Sequence, residues 1–537
     1  MSSAASPLPA LLAAANGNWH MSFQSIHFLL FLPIVVGAYF VLPVRLRKGW
    51  LLVASYYFYF FAAPKYLVLL LAGTLFTYII GRVIGSAKTA RAKHGWLFLG
   101  IAGSVLVLAF FKYNGYLQGF LSNLSVRFGL VYSTSWFTTA AAMGISYYTF
   151  TAIGYLIEVA QGTAPAEKNL ATYALFLGFF PSVSLGPINR ANGLLPQLTQ
   201  NNKKFNPQAA ANALRLIAIG FFKKLAVADT LRLFVDAVYA SPEALAGYTG
   251  LSLTLAAVLF ALQLYFDFSG YTDIARGSAG LLGIELPENF NTPFFATNFS
   301  GFWARWHMSL SGWLQDYIFT PLVWSRWTEK LPIIGKKIKK PPVLSSIFVV
   351  FFISGIWHGD TLCFAVWGIL QAVFRIGEEL LHRTLGKPQK KPPLFSRIGK
   401  TTLVLVLWVE SLVFFRVGMM RAGTVSDALA ALARQFSEVS YSATINDVYR
   451  AIWNGFYNQR PLVLAFAAFM AVCLAAALWA DWAQCFKLKG KSLANGIAAL
   501  RPVPRWFVYF FITLACFAAF IAQSGGFGGA SFLYGGF

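Results

Sequence analysis

The sequence predicts an all-α polytopic membrane protein, with roughly 11–13 transmembrane helices and further re-entrant or buried helices around a central cavity. Three observations carry that expectation. Of 537 residues 57% are apolar and only 12% are charged, with 52 Phe, 23 Tyr and 16 Trp. Apolar runs long enough to cross a hydrocarbon core, which takes about 20 helical residues, recur from Ser25 to Ala522 with no soluble stretch between them. The basic residues gather in short loops between those runs, as they do on the cytoplasmic side of a membrane. The chain reads as one integral domain, 1–537.

Taken in order, the first span is Ile26 to Leu42, ending at Arg45, Arg47 and Lys48. The second runs from Trp50 to Ala63 and turns at Pro64-Lys65. The third, Tyr66 to Ile84, returns to the basic loop at Lys88. Trp96 to Phe111 leads out and Thr139 to Ala160 leads back. Further apolar runs occupy Leu170 to Ser184, Ala213 to Phe222 and Leu251 to Leu282. After a basic cluster at Lys336 to Lys340 the chain re-enters at Val343 and returns through Leu362 to Leu381. The last spans are Leu403 to Met420, Pro461 to Trp482 and Phe507 to Gln523, before a Gly-rich end. Residues 421–460 form the longest exported loop. Nothing basic precedes the first span, so no secretory n-region is present and the N-terminus is expected outside.

A net charge of +24 would point to nucleic acid in a soluble protein. Here the cations sit in short loops, including Lys203/Lys204, Lys223/Lys224 and Lys487 to Arg505, and membrane lipids with anionic headgroups are the expected partners. No basic face is interleaved with aromatic platforms for base stacking, so nucleic acid is excluded. Cys363, Cys473, Cys485 and Cys516 are scattered without ligand spacing, and neither zinc nor a disulfide is expected.

Between Leu286 and Leu331 the pattern breaks. Many Trp and Phe residues mix with Pro287, Pro293, Asn289, Asn291, Asn298, Arg305, His307 and Asp316. Such backbone is tolerated at membrane depth only when protein or a water-filled cavity surrounds it. A second polar break ends the uncharged run Val343 to Trp357 at His358. At about 1.5 Å per helical residue, His358 lies roughly 22 Å from Val343, past the midplane. An ionisable side chain at that depth is a functional candidate; the bland alternative is a helix-end imidazole bonded to a carbonyl. With Asp267, Asp273 and Asp316 in the same polar island, two buried histidines supply a base and groups that could orient it. Burial keeps an imidazole neutral, and therefore basic, near pH 7. Asp267 and Asp273 could equally hold helices together, since a buried carboxylate needs a partner whatever its role. Trp303, Trp306 and Trp357 read as cavity wall, and Ser269 has no base at an activating spacing.

These blocks are Asp267-Phe-Ser-Gly-Tyr-Thr-Asp273-Ile-Ala, Leu286-Pro-Glu-Asn-Phe290, Phe302-Trp-Ala-Arg-Trp-His307, Ser309-Leu-Ser-Gly-Trp-Leu-Gln-Asp-Tyr317 and Ser354-Gly-Ile-Trp-His-Gly359. In that order they resemble the membrane-bound O-acyltransferase family, in its alginate and peptidoglycan O-acetyltransferase branch, and a looser likeness covers Met21 to Pro64 and Phe179 to Arg190. Ala304, Gln315 and Val323-Trp324 depart from the branch's usual residues without touching either histidine. The resemblance implies a catalytic core at 267–360, with His358 as the general base and His307 as its active-site companion, contacting the oxyanion or positioning the acyl group. It also implies a bacterial inner-membrane enzyme that takes acetyl from a cytoplasmic thioester, acetyl-CoA or an acyl carrier protein, with no tightly bound cofactor. Polysaccharide biosynthesis proteins or an exported acetyltransferase would be its partners. Two alternatives stay open: D-alanyl transfer from a carrier protein to a cell-wall polymer, and a non-catalytic transporter, for which a polar island beside a cavity is equally natural.

Overall fold

A computed structural model describes residues 21–128, 143–200, 203–325, 342–386, 393–420, 422–437, 439–453 and 460–524. The Lys336 to Lys340 cluster, residues 139–142 of the fifth expected span, part of the Arg383 to Lys400 loop and the Gly-rich end lie outside them. The described residues are helical with no strands. Among the described residues six helices are long and apolar enough to cross a membrane, and two shorter apolar ones, Ile26–Val41 and Val343–His358, accompany them. Other expected spans are helices of a different kind. Leu170 to Ser184, for example, is helical only over Leu170–Gly178, and its continuation is turn. Pro181 stops it, because a proline cannot extend the hydrogen-bond ladder. The chain is a multi-pass membrane protein.

The chain divides into two compact units. The first comprises residues up to Ile217 together with Tyr271–Pro287. It holds α1 (Ile26–Val41), α2 (Val44–Ala62), α3 (Leu67–Ser86), α4 (Ala90–Arg127), α5 (Ile145–Gln161), α6 (Leu170–Gly178) and α7 (Ala191–Thr199). It also holds most of α8 (Pro207–Phe221). Ser25 caps α1 by accepting from the Phe28 N–H. α3 and α5 meet where Gly81 faces Tyr155, since a Cβ at Gly81 would stand 2.5 Å from the ring. Tyr155 also accepts from the Glu167 backbone N–H at 3.0 Å. Almost all of α5 is buried in protein, which is why its hydroxyl-bearing residues are tolerated there.

The second unit spans Ala218–Gly270 and Glu288 onward. After a π-helical turn at Phe222–Ala228 come α9 (Asp229–Val238) and α10 (Pro242–Gly247). The long α11 (Gly250–Leu281) passes from this unit into the first at Gly270. The short α12 (Phe299–Trp303), α13 (Met308–Leu314) and α14 (Thr320–Ser325) follow, with a π-helical turn Gln315–Phe319 before the last. These fragments occupy the break expected from Leu286. α15 (Val343–His358) runs unbroken to His358 and forms a hairpin with α16 (Leu362–Leu385), beside α17 (Leu394–Gly418). The segment after α17 carries α18 (Val425–Gln435), closed at its start by a capping box between Thr424 and Asp427, and α19 (Tyr441–Trp453). α20 (Arg460–Trp482), α21 (Leu493–Ala498) and α22 (Pro502–Ser524) complete it.

One cation assigned to a loop by its sequence is not there. Lys224 is 1% exposed and lies in the π-helical turn, with Nζ 2.5 Å from Asp267 and 2.8 Å from Asp229. A basic doublet beside an apolar run looks the same whether its lysines face solvent or carboxylates of the next helices, so composition could not separate the two cases.

Candidate active site

The second unit gathers both histidines. The site is built on a paired crossing of two irregular segments. The Met308 N–H donates to the Asn289 carbonyl at 2.9 Å, and the Asn291 N–H donates to the Arg305 carbonyl at 3.0 Å. Held between these bonds, His307 adopts φ 42° and ψ 53°, the left-handed region, and precedes the first turn of α13. Such a conformation is uncommon for a residue with a Cβ and persists only where the surroundings over-determine it. His307 is 2% exposed. Its Nδ1 lies 3.2 Å from Asn289 Oδ1, which also accepts from the Ser309 backbone N–H at 3.1 Å and the Ser309 hydroxyl at 2.7 Å. The Phe268 ring of α11 meets the imidazole edge to face at 4.7 Å. Burial pushes the His307 pKa well below the ordinary histidine value, so the neutral ring prevails.

His358 is the last residue of α15 and is 6% exposed. Its ring packs edge-on against Trp367 of α16 at 5.0 Å and Phe415 of α17 at 5.2 Å. Trp357 stands between the two histidines, its ring centroid 4.7 Å from that of His358 and 6.4 Å from that of His307. Two glycines let α15 and α16 close on each other here: a Cβ at Gly355 would lie 2.9 Å from the Cα of Gly368. Gly359, next to His358, is pressed against the Phe364 ring so closely that no side chain fits.

The other candidates fall in different places. Trp306 is buried in an aromatic cluster, 4.8 Å from Trp408 and 5.1 Å from Phe290. Asp267 faces Lys224, one residue before Phe268. Asp273 belongs to the first unit, 3.8 Å from Arg276. Asp316 is exposed in the π-helical turn. Asn289, which the sequence presents as a polar residue of the break within the Leu286-Pro-Glu-Asn-Phe290 block, faces the imidazole instead. Its sequence signals are that block and its position between Pro287 and Pro293, where the chain cannot be regular helix.

A cavity of about 540 Å³ in the second unit is lined by chain neighbours of the histidines, not by the imidazoles themselves. Its walls include Met308, which follows His307, and Ser354, one helical turn before His358. Ser300, Ser311, Gln315 and Arg375 give it polar points, and Trp303 an aromatic wall. Trp303 Nε1 is buried and has no hydrogen-bond partner among the described residues. The same holds for Trp367 Nε1, on the ring that packs against His358. A buried donor in a cavity wall, as at Trp303, is a group that a substrate oxygen can satisfy.

Comparison with known proteins agrees with this chemistry. The family model of MBOAT, the membrane-bound O-acyltransferase family, matches residues 163–409. The probable alginate O-acetylase of Pseudomonas aeruginosa is 34% identical over 396 residues, which cover 72% of this chain and 71% of that one. The peptidoglycan O-acetyltransferase of Helicobacter pylori is 31% identical over 419 residues, 72% of this chain and 75% of its own. A teichoic acid D-alanyltransferase of Bacillus subtilis is 33% identical over 237 residues, 43% of this chain and 57% of its own.

Proposed function

Because the chain belongs to the membrane-bound O-acyltransferase family and is an O-acyltransferase, we propose that it passes acetyl from a cytoplasmic thioester donor to an exported polysaccharide. The donor is acetyl-CoA or an acylated carrier protein, the membrane is the bacterial inner membrane, and an exported acetyltransferase or polysaccharide biosynthesis proteins receive the group. The observation that carries this reading is the pair of buried histidines on either side of Trp357, with a 540 Å³ cavity whose wall includes Met308 and Ser354, their near neighbours in the chain. A cavity of that size suits a short acyl group on a flexible thioester arm. A neutral imidazole of the pair removes the acceptor's hydroxyl proton as its oxygen attacks the thioester carbonyl. The carbon–sulfur bond breaks and the proton leaves with the thiol. On this reading α15 and the polar break that holds His307 line a path from one face of the membrane to the other.

The alginate and peptidoglycan relatives favour acetyl and a polysaccharide. The D-alanyltransferase likeness, confined to less than half of the chain, keeps a carrier-borne D-alanyl group as the second reading. A non-catalytic transporter has no support from these relatives. The test is purified protein in liposomes with labelled acetyl-CoA inside and alginate oligosaccharide outside. Label on the outer acceptor is expected. Transfer only when donor and acceptor share one compartment would overturn the path through the protein, and transfer only from a D-alanyl carrier would select the second reading.

A further inference from the structure

We infer that a groove in the first unit, between α3 and α4, is a binding site for one tail of a bilayer phospholipid. The groove has a volume of about 240 Å³. Ala72 and Phe76 of α3 and Val107 of α4 form its flanks, and Tyr148 of α5 and Leu177 of α6 its floor. Two glycines in its wall shape it. At Gly73 a Cβ would meet nothing within 4 Å, so the helix leaves open space there. At Gly103 a Cβ would stand 2.7 Å from the Phe76 ring, so the missing side chain lets that ring lie against α4. The hydroxyls in the wall are spent on the protein. Thr77 donates to the Gly73 carbonyl at 2.7 Å and accepts from the Tyr173 hydroxyl at 2.8 Å. Ser104 donates to the Gly100 carbonyl at 2.7 Å, and the Tyr148 hydroxyl is shut inside, beside Tyr59. A sugar or a headgroup would give up its own hydrogen bonds on entering such a space, whereas a hydrocarbon tail has none to lose.

What covers this groove follows from where its flanking helices stand. Both α3 and α4 are long and apolar enough to cross the membrane, and their apolar windows are only 33% and 11% buried in the protein. Leu71, Leu75, Val105 and Leu106, beside the groove, are exposed. The groove is therefore continuous with the surface that hydrocarbon already covers, and leaving it empty would forfeit dispersion contacts along its walls. Its length also fits a tail. From Leu69 to Thr77 is roughly 12 Å of helix, most of one leaflet's share of a hydrocarbon core about 30 Å thick. Phe76 crosses to Gly103 near the middle of α3, so a tail that enters from the Leu67 end stops close to the midplane. The occupant is thus a phospholipid of the leaflet on the Leu67 side. This site lies in a different unit from both histidines and does not depend on the acyl-transfer reading.

The experiment is photolabelling of the full-length protein in liposomes that contain a phosphatidylglycerol with a diazirine midway along one tail, the adducts being located by peptide mass spectrometry. Adducts should concentrate on the two walls, at Ala72 to Phe76 and at Gly103 to Val107, above the level on the exposed faces of α1 and α22. Gly73→Leu puts a side chain into the open space. It should cut labelling of both walls several-fold and raise the melting temperature in lipid-free detergent, since leucine also favours the helix over glycine. Gly37→Leu on α1, where a Cβ again meets nothing within 4 Å, should leave labelling of the groove unchanged. Adducts spread evenly over the lipid-facing helices, or undiminished in Gly73→Leu, overturn the inference. Absence of label from the groove overturns it too, and disulfide crosslinking of Val107→Cys between two molecules would then place a second copy of the chain there. If Gly73→Leu does not fold, the distribution of label in the wild type decides alone.

Discussion

Gly355 and Gly368 touch main chain to main chain, each occupying the place where the other's Cβ would stand, at 2.9 Å from the partner's Cα. The hairpin of α15 and α16 therefore has no side-chain layer at this level, and His358, three residues on, is placed by backbone rather than by rotamer. Gly368→Ala should force the helices apart and cost about 1–3 kcal/mol by overpacking, with a lower melting temperature in detergent and reduced transfer. Gly377 on the same helix has open space at its Cβ, so Gly377→Ala should be neutral or stabilising by up to about 1 kcal/mol. Equal melting temperatures for the two variants would contradict the close approach.

Single substitutions of either histidine should stop the chemistry without unfolding the protein. Loss of a positioned base costs about 10²- to 10⁴-fold. His358→Ala and His307→Asn are each expected to fall in that range, and the double variant to be no worse than the weaker single one, because groups acting as a unit are non-additive. Asparagine is the better replacement at 307 because it tolerates the left-handed backbone that alanine resists. Retained polymer acetylation in His358→Ala would remove that residue from the mechanism.

The buried trio Lys224, Asp229 and Asp267 should show the signature of a desolvated ion pair. Lys224→Met leaves two carboxylates without their cation, and a loss of about 3–5 kcal/mol is expected. Lys224→Met with Asp267→Asn should recover part of it. Thermal unfolding of the wild type, Lys224→Met, Asp267→Asn and the double variant, followed by intrinsic fluorescence, checks the order, and a double variant as unstable as the sum of the two singles would show that the pair is not coupled.

Orientation gives a prediction independent of activity. Cysteines introduced near Lys88 and Lys487 should resist an impermeant thiol reagent in intact cells, whereas cysteines on α18 or α19 should react, since basic short loops stay inside. Labelling at Lys88 would invert the topology and move the donor to the other face.

Much of the fold was legible because length and hydropathy are read directly from side chains. α3, α11 and α15 fall within a few residues of their apolar runs. α6 did not follow its run because hydropathy does not see that Pro181 ends a helix, nor that a turn surrounded by protein can be as apolar as a lipid-facing span. In the site, His307 and His358 stood out as ionisable groups in aromatic surroundings. Asn289 did not: an uncharged amide carries no such signal, and its role depends on a pairing of 289–291 with 305–308 that no periodicity encodes. Lys224 was hidden for the converse reason, its charge being shared with the solvent-facing cations beside other spans.

The trio has a further consequence for how the chain is made. An isolated carboxylate at the centre of a nascent membrane helix carries an insertion cost of about 2.5–3.5 kcal/mol. Asp267 lies near the middle of α11, and its cation, Lys224, is synthesised 43 residues earlier. By the time α11 leaves the ribosome, the residue that carries its counter-charge has already been synthesised. The order of residues along the chain thus allows α11 to enter the bilayer as half of a pair, so a variant lacking Lys224 should falter during synthesis, before any finished protein exists to be unstable.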